Sequence, residues 1–250
     1  DAELCLWRDG KQILHSPGYA RLSGRDYSFG EAARSQARLH PQQVNHRYWA
    51  QLDMEPLSPS FGPGRHSADL VHSHLLDIHG QANLGDGFVL TAPGSLQHDQ
   101  LALLLGIIEH CPFTAGGLVD RAVAHVAALP AAAYNWHIEL QLHQALVTGV
   151  RCSDGVLSRD RVIPIPGSGW LAMQDAIARA IADAFIRQTR FDPRRQAATE
   201  QALYDQLPAI LLELQQQPEK NIELGGHQAR LGSELIAESC AKHYQRLKRS

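Results

Sequence analysis

The sequence lacks closely spaced cysteines and long hydrophobic runs. Its four cysteines stand far apart in 250 residues and form no Cys-x-x-Cys pair: Cys5, Cys111, Cys152 and Cys240. This spacing matches neither a zinc site nor a dense disulfide framework. We therefore expect buried free thiols and a reducing, cytoplasmic location. No run approaches ~18 apolar residues, so the sequence predicts no membrane-spanning helix.

The sequence also lacks a strong charge bias and the common catalytic motifs. A formal net charge of −3 gives no general attraction to nucleic acids or anionic membranes. The motifs G-x-x-x-x-G-K-[ST], G-x-S-x-G and H-E-x-x-H do not occur, so nucleophilic hydrolase chemistry has no support. The histidine-rich stretch HSADLVHSHLLDIH at 66–79 has no pair at i and i+4. We expect no metal site there, and interpret these residues as solvated helix histidines.

What the sequence does contain is an alternation of strand and helix patterns. The first half predicts a hairpin over 3–15 that turns at 9–11, a helix over 31–39, a loop over 51–64 and a helix over 67–83. It then predicts a strand over 87–92, a helix around 101–108, a strand within 112–120 and a helix over 121–129. The second half predicts strands over 136–150 and 156–165, a helix after 169, a helix around 203–214, a hairpin over 221–231 and a helix over 233–249.

A strand meander followed by helices thus occurs twice, with a break near Pro130. This order predicts a two-lobed α/β fold. Lobe I would cover 1–132 with an inserted cap over 29–85, and 133–250 would form part of lobe II. Because the opening DAELCLWRDGK resembles the middle of a hairpin, we expect the native N-terminus to lie upstream of Asp1.

Three segments carry a family signature. FGEAARSQARLHPQQV at 29–44 is similar to I-G-x-x-A-x-x-Q-x-x-x-x-P, and FVLTAPGSLQHDQ at 88–100 is similar to V-I-T-V-P-A-x-F-x-x-x-Q. DGVLSRDRVIPIPGSGWLAMQDAIARAIADAF at 154–185 resembles a strand pair that leads into the first helix of a second lobe. In this order the segments resemble the nucleotide-binding domain of DnaK-type heat-shock chaperones, in the actin-like ATPase superfamily. The resemblance implies a two-lobed, ribonuclease H-like fold, incomplete in these 250 residues.

The resemblance places Glu139 on a functional carboxylate. Where this chain has IELQLHQALV, the family has I/V-D-L-G-G-G-T-x-D-V, whose aspartate orders magnesium-bound water. The three glycines are replaced by Gln141, Leu142 and His143. Glycine lets the backbone approach phosphate oxygens, and these larger side chains would crowd that approach. We interpret the segment as a phosphate loop that has lost its glycines.

Four further positions carry over from the family. Arg47 falls near its phosphate-contacting lysine, and Asp120 falls on the glutamate of its N-E-P-T-A-A segment. Gly167 and Gly169 fall near the lobe-II glycines that line the nucleotide. The resemblance implies that Glu139 and Asp120 act as catalytic carboxylates, and that the other three bind nucleotide, with ATP and magnesium as cofactors.

Each of these residues also has a simpler interpretation. Glu139 can be an ordinary edge-strand carboxylate, and Arg47 a surface residue. Asp120 can begin a helix, since aspartate is favoured in the first turn. Gly167 and Gly169 can form a turn before a helix. In addition, the Glu and Lys that hold adenosine in the family are replaced here, around residues 205 and 208.

Three functions stay open at this point. The first, which we favour, is a divergent relative of the chaperone ATPase domain with weak or lost nucleotide binding, which acts as a binding or regulatory module for a protein partner or client. The second is a working ATPase whose remaining loops lie outside these residues. The third is a sugar or acetate kinase of the same superfold, although no acceptor-site signature is visible.

Overall fold

A computed structural model describes residues 2–85 and 87–249 as a mixed α/β protein. The first part contains β1 (Leu4–Arg8), β2 (Lys11–Ser16), β3 (Ala20–Ser23), β4 (Asp26–Phe29), α1 (Gly30–Arg34), β5 (Val44–Asn45), β6 (Pro56–Phe61), β7 (Gly64–His66), α2 (Ser67–Ala82), β8 (Phe88–Ala92), α3 (His98–Glu109), β9 (Ala115–Asp120) and α4 (Arg121–Val126). The second part contains β10 (Tyr134–Leu140), β11 (Gln144–Ser153), β12 (Val156–Pro166), α5 (Trp170–Thr189), α6 (Ala197–Gln216), β13 (Glu219–Leu224), β14 (His227–Gly232) and α7 (Ser233–Arg249).

The first hairpin and α2 form where their turn and cap residues favour them. Asp9 and Gly10 take φ values of 51° and 72°, as a two-residue turn between antiparallel strands requires. At the start of α2, the Asp69 carboxylate accepts the backbone N–H of His66 at 3.1 Å. Asn83 ends the helix in the left-handed conformation with a φ of 48°. The predicted hairpin and the predicted helix are both confirmed.

The strands form several small sheets. β1 pairs antiparallel with β2, and β8 pairs parallel with β9. β10, β11 and β12 form an antiparallel meander. The remaining sheets are β4-β3-β5, β6-β7 and β13-β14. Within the described residues, the strands of 87–132 and those of 133–166 share no sheet.

The protein has one apolar core built from residues before Pro130 in the sequence and a second built from residues after it. The first packs α2 and α3 against the surrounding strands, with Leu70 and Ile108 at its centre. The second packs α5, α6 and α7 against the β13-β14 hairpin, around Phe185 and Leu207. Each core uses helices whose apolar residues recur at the helical period that the sequence predicts.

The loop predicted over 51–64 is wrong. This stretch contains β6 and the start of β7, and its prolines are tolerated because a two-stranded hairpin has open edges. The Tyr27 hydroxyl fixes the hairpin turn, since it donates to the Phe61 carbonyl and accepts the Gly64 N–H at 2.8 Å. A distant side chain therefore supplies the order that the local sequence does not indicate.

Two helices are shorter than predicted. α1 ends at Arg34 because the next N–H groups, those of Gln36 and Ala37, bond to carbonyls three residues back instead of four. The Gln201 side chain of α6 then stands between Arg38 and Arg34, which would otherwise form a further helical bond. Its amide nitrogen donates to the Arg34 carbonyl at 3.3 Å, and its amide oxygen accepts the Arg38 N–H at 2.8 Å. α4 ends at Val126, where bonds of the tighter i to i+3 type replace helical ones.

The cysteines are free, as predicted, but they are not uniformly buried. Cys240 is buried, whereas Cys5 is exposed on β1 and the other two are half-buried. In the described parts of the chain, none of the helices has the length and apolar character needed to cross a membrane.

Candidate functional site

A cavity of about 750 Å³ lies between β1 and β8. Its walls include four consecutive residues of β1, Leu4 to Trp7, and all five residues of β8, Phe88 to Ala92. Leu75 of α2 and Leu104 of α3 contribute apolar surface to it. The volume falls in the range of about 300–1,000 Å³ that is typical of ligand pockets.

One part of the cavity wall is polar. Glu139 Oε1 accepts the Arg121 guanidinium at 2.9 Å and the Gln141 side-chain amide at 3.1 Å. The same Gln141 amide donates to Ser95 Oγ at 3.0 Å, and its oxygen accepts from Gln144 at 2.8 Å. Within this network the Glu139 carboxylate is paired with the Arg121 guanidinium, and the Glu3 carboxylate also lines the cavity.

Glu139 lies inside because its side chain is on the interior face of β10, whereas the apolar side chains of this strand are on the outer face. Trp136 and Ile138 are 54% and 59% exposed. The Glu139 side chain, on the opposite face, is 12% exposed. The polar residues of β10 therefore face the interior, although the apolar set would be the usual choice for a buried face.

The turn between β10 and β11 packs its carbonyl oxygens against the start of α5. Free N–H groups at a helix N-terminus are the usual donors to phosphate. Here two such groups donate to the turn: Trp170 N–H to the Gln141 oxygen at 2.8 Å and Leu171 N–H to the Leu142 oxygen at 3.0 Å. The Gly167 N–H, which precedes the helix, donates to the His143 oxygen at 3.1 Å. These donors are therefore already used by the protein.

Leu142 fills the space behind this turn. It is 1% exposed and packs in a small cluster with Tyr19 and Ala33 of the first half of the chain. Trp170 and Leu171 border the same cluster. The Leu142 side chain thus connects the two halves of the molecule.

Gly169 and Gly167 have different structural roles at this contact. A Cβ on Gly169 would lie 2.3 Å from the backbone nitrogen of Gln144 and 2.4 Å from the carbonyl carbon of His143. Gly167 has a φ of 69°, and a Cβ there would meet only the Arg246 side chain, at 3.7 Å. The first glycine permits close packing and the second permits the turn, which explains both without a ligand.

Asp120 begins α4, as the simpler interpretation has it. Its Oδ1 accepts the N–H groups of Ala122 and Val123 at 2.9 and 3.2 Å. Its Oδ2 accepts the Arg159 guanidinium at 2.9 Å. Both carboxylate oxygens are therefore engaged within the protein.

Arg47 lies apart from Glu139. It is exposed and lines a second cavity beside the β6-β7 hairpin, whereas Glu139 lines the cavity between β1 and β8. Its neighbour His46 contacts the turn, since His143 Nε2 donates to the His46 carbonyl at 2.8 Å. Burial, together with His143 and Arg47, lowers the pKa of His46 to about 4. The five predicted site residues thus do not meet in one cavity.

Sequence reasoning missed a buried network around His74, which is fully buried rather than solvated. Trp49 Nε1, which only donates, bonds to His74 Nδ1 at 3.1 Å, and the Tyr48 hydroxyl bonds to the same atom at 2.7 Å. The proton therefore sits on Nε2, which donates to Ser16 Oγ at 2.7 Å. A histidine that donates to a serine cannot accept its proton, so this pair is not a catalytic dyad.

The signal that could have found this network is the position of His74 in α2. It stands four residues from both Leu70 and Ile78, on the face that packs into the first core. A polar side chain on such a face needs buried partners.

Among the described residues, no three His, Cys, Asp or Glu side chains group in a way that could hold a metal ion.

We expect the stability of the protein to fall below about pH 6.5. Burial lowers the folded pKa of His74 to about 3, and that of His46 is about 4, both from an ordinary value of 6.5. The unfolded chain then binds protons first, so each histidine should lower the free energy of unfolding by about 1.4 kcal/mol per pH unit, from pH 6.5 down to its folded pKa. Urea unfolding at pH 8, 6 and 5 measures this slope.

A matched pair of variants tests the assignment of that slope. His46→Gln should reduce the slope of the free energy of unfolding against pH by the contribution of one histidine. His98→Gln, which changes a side chain that is 96% exposed, should leave this slope unchanged. An equal slope in all three proteins between pH 6 and 5 would contradict the assignment.

Comparison with known proteins assigns no family to the chain. No model of a known protein family matches it. No curated protein matches it significantly.

Proposed function

We propose that this chain is a divergent relative of the DnaK-type chaperone ATPase domains, with the two-lobed actin-like fold, that acts as a binding or regulatory module for a protein partner and has weak or lost nucleotide binding. The observation that carries the proposal is the contact between the β10-β11 turn and α5. The N–H groups that would bind phosphate there donate to the turn carbonyls instead.

The other residues at the implied ATP and magnesium site do not fit those groups either. The Leu142 side chain is packed into the cluster with Tyr19 where the family has a flexible glycine. Glu139 is paired with Arg121, and Asp120 is paired with Arg159 and caps a helix. A carboxylate that orders metal-bound water needs free oxygen lone pairs, and breaking these ion pairs would cost free energy.

Surface features support a binding role. The outer face of β10 exposes Trp136, Ile138 and Leu140 in a row. Contiguous apolar patches on a protein surface commonly mark contacts with other proteins. The cavity between β1 and β8 adds a second apolar surface. The cavity wall includes the Cys5 thiol, but desolvation and the nearby Glu3 carboxylate raise the pKa of that thiol and disfavour the nucleophilic thiolate. Glu139 is paired with Arg121, so binding is favoured over catalysis.

Magnesium-ATP is expected to leave the thermal unfolding midpoint unchanged. A ligand at ~100 times its Kd would add about 2.7 kcal/mol to the free energy of unfolding, a shift that differential scanning fluorimetry detects easily. The measurement compares the protein with and without magnesium-ATP at millimolar concentration. Glu139→Ala serves as the matched variant. A clear shift that this substitution abolishes would support a working ATPase instead.

A further inference from the structure

We propose that the contact between His46 and His143 is a pH-sensitive switch between the two halves of the chain. The contact holds the segment 44–47 against the β10-β11 turn while His46 is neutral, and it opens when His46 binds a proton. This inference goes beyond the proposed function and does not depend on it, because it concerns neither a nucleotide nor a partner.

The first observation is the pattern of hydrogen bonds between the two histidines. His143 Nε2 lies 2.8 Å from the His46 carbonyl oxygen and 3.3 Å from His46 Nδ1. A carbonyl oxygen only accepts, so His143 Nε2 carries a proton and donates. The same N–H is within hydrogen-bond distance of His46 Nδ1, which accepts only when it carries no proton. The closed contact therefore requires a neutral His46 with its proton on Nε2.

The second observation is that the two histidines respond differently to a proton. A protonated His46 has N–H groups on both ring nitrogens, so its Nδ1–H and the Nε2–H of His143 would be two donors facing each other. His143 can instead bind a second proton at Nδ1 and still donate from Nε2 to the His46 carbonyl. The charge on His46 therefore decides whether the contact is closed.

The third observation is that the charges around His46 oppose its protonation. Arg47 follows it in the same segment, Arg38 acts on it from the segment after α1, and His143 faces it from the turn. Burial, followed by His143, Arg47 and Arg38, lowers the pKa of His46 to about 4. The neighbouring cations thus add to the free-energy cost of charging His46 in the closed junction.

The other groups at the junction are neutral or already paired. The Tyr19 ring packs against His46 with 5.6 Å between the ring centroids, and burial raises the pKa of the Tyr19 hydroxyl to about 12. The carboxylates of Asp175 and Glu31 act on Tyr19 electrostatically. Each of these carboxylates is paired with an arginine at 2.7 Å. They are therefore engaged elsewhere and do not neutralise a charged His46.

Opening of the contact would be local. Leu142, which precedes His143 in the turn, packs in its cluster with Tyr19, so release of the turn would expose the Leu142 side chain. Other contacts between the two halves involve no histidine. They are the ion pair of Arg38 with Asp175 and the bonds of the Gln201 side chain to the backbone after α1. We expect these contacts to persist while the turn is released.

The difference in the pKa of His46 between the two states sets the size of the effect. An exposed histidine has a pKa of about 6.5, so the open state binds the proton before the closed state does. The closed state is therefore fully favoured above pH 6.5 and loses its advantage as the pH falls towards 4. The ratio of closed to open molecules should fall about tenfold per pH unit, or about 300-fold over this range.

The experiment is an NMR titration from pH 8 to pH 4 of the chain with labelled histidine rings and leucine methyl groups. The ring signal of His46 reports its protonation, and nuclear Overhauser contacts between the Leu142 methyl groups and the Tyr19 ring report the closed junction. We expect these contacts to disappear with the same midpoint as the His46 titration, between pH 6.5 and pH 4. The methyl signals of Leu207, in the second core, should stay unchanged.

Two substitutions separate a switch from a merely structural contact. His46→Gln removes the titrating group, so the contacts of Leu142 with Tyr19 should become independent of pH. His143→Glu places a carboxylate beside His46, so protonation of His46 should then favour the closed junction instead of opening it.

Three results would overturn the inference. The first is an equal loss of the Leu142 contacts in His46→Gln, and the second is their persistence in the unmodified chain after His46 is protonated. The third is a simultaneous change at Leu207, which would show that the protein unfolds as a whole and has no separate switch.

Discussion

Replacing Gln141, Leu142 and His143 together with glycine is expected to destabilise the fold strongly without creating affinity for ATP. Leu142 is 1% exposed, and removing its side chain from the cluster with Tyr19 and Ala33 should cost ~2–5 kcal/mol. Each added glycine should cost roughly 0.5–1 kcal/mol more through backbone entropy. The N–H groups at the start of α5 would still be bonded to the turn carbonyls, so no phosphate site would appear.

Chemical denaturation of the triple variant, of Leu142→Ala and of the unmodified chain separates the contributions. Leu142→Ala alone should account for the larger part of the loss, because it removes the buried side chain without adding glycine. An unchanged denaturation midpoint in the triple variant would mean that the turn is exposed in an open cleft, as a working ATPase would need. A thermal shift with magnesium-ATP that appears only in the triple variant would show that glycine restores phosphate binding at this turn, and it would contradict the expectation that no phosphate site appears.

Local patterns were sufficient to predict many of the elements. The DGK turn predicts the β1-β2 hairpin, and the 3.6-residue period predicts the two long helices α5 and α6. These features depend on neighbouring residues in the chain, whose effect is visible in the sequence.

The orientation of β10 could not be predicted from its own sequence. Its residues alternate between an apolar set and a polar set, and the apolar set is the natural choice for the interior. The polar set faces inward because its partners, Ser95, Arg121 and Gln144, are brought to Glu139 and Gln141 from other elements. A period of two shows that a strand has two different faces, but the tertiary partners decide which face is buried.

The candidate site shows the same limit. The sequence places Arg47, Asp120 and Glu139 by analogy, yet each of these residues has a partner or a location that only the tertiary structure reveals. Asp120 meets Arg159 from β12, and Arg47 lines a different cavity from Glu139. Long-range ion pairs and packing contacts leave no periodic trace in a single sequence.

Gly169→Ala is expected to lower the free energy of unfolding by about 3 kcal/mol or more, whereas Gly167→Ala should cost only ~1–2 kcal/mol. The first methyl group would overlap backbone atoms of Gln144 and His143, which cannot move without separating the turn from α5. That separation would break the bonds from the N–H groups of Trp170 and Leu171, at about 0.5–1.5 kcal/mol each. The second methyl group has space and meets only the cost of a left-handed backbone conformation.

The two alanine variants form a matched pair, because they place the same methyl group two residues apart at the start of one helix. Urea denaturation measures the difference in stability, and hydrogen exchange of the amides of 170–171 reports whether their bonds to the turn survive. We expect fast exchange of these amides in Gly169→Ala and slow exchange in Gly167→Ala. Equal stability losses, with both amides still protected, would show that the turn and α5 are not in the close contact described. In that case the donors at the start of α5 would be free for an anion, and the main argument against nucleotide binding would fail.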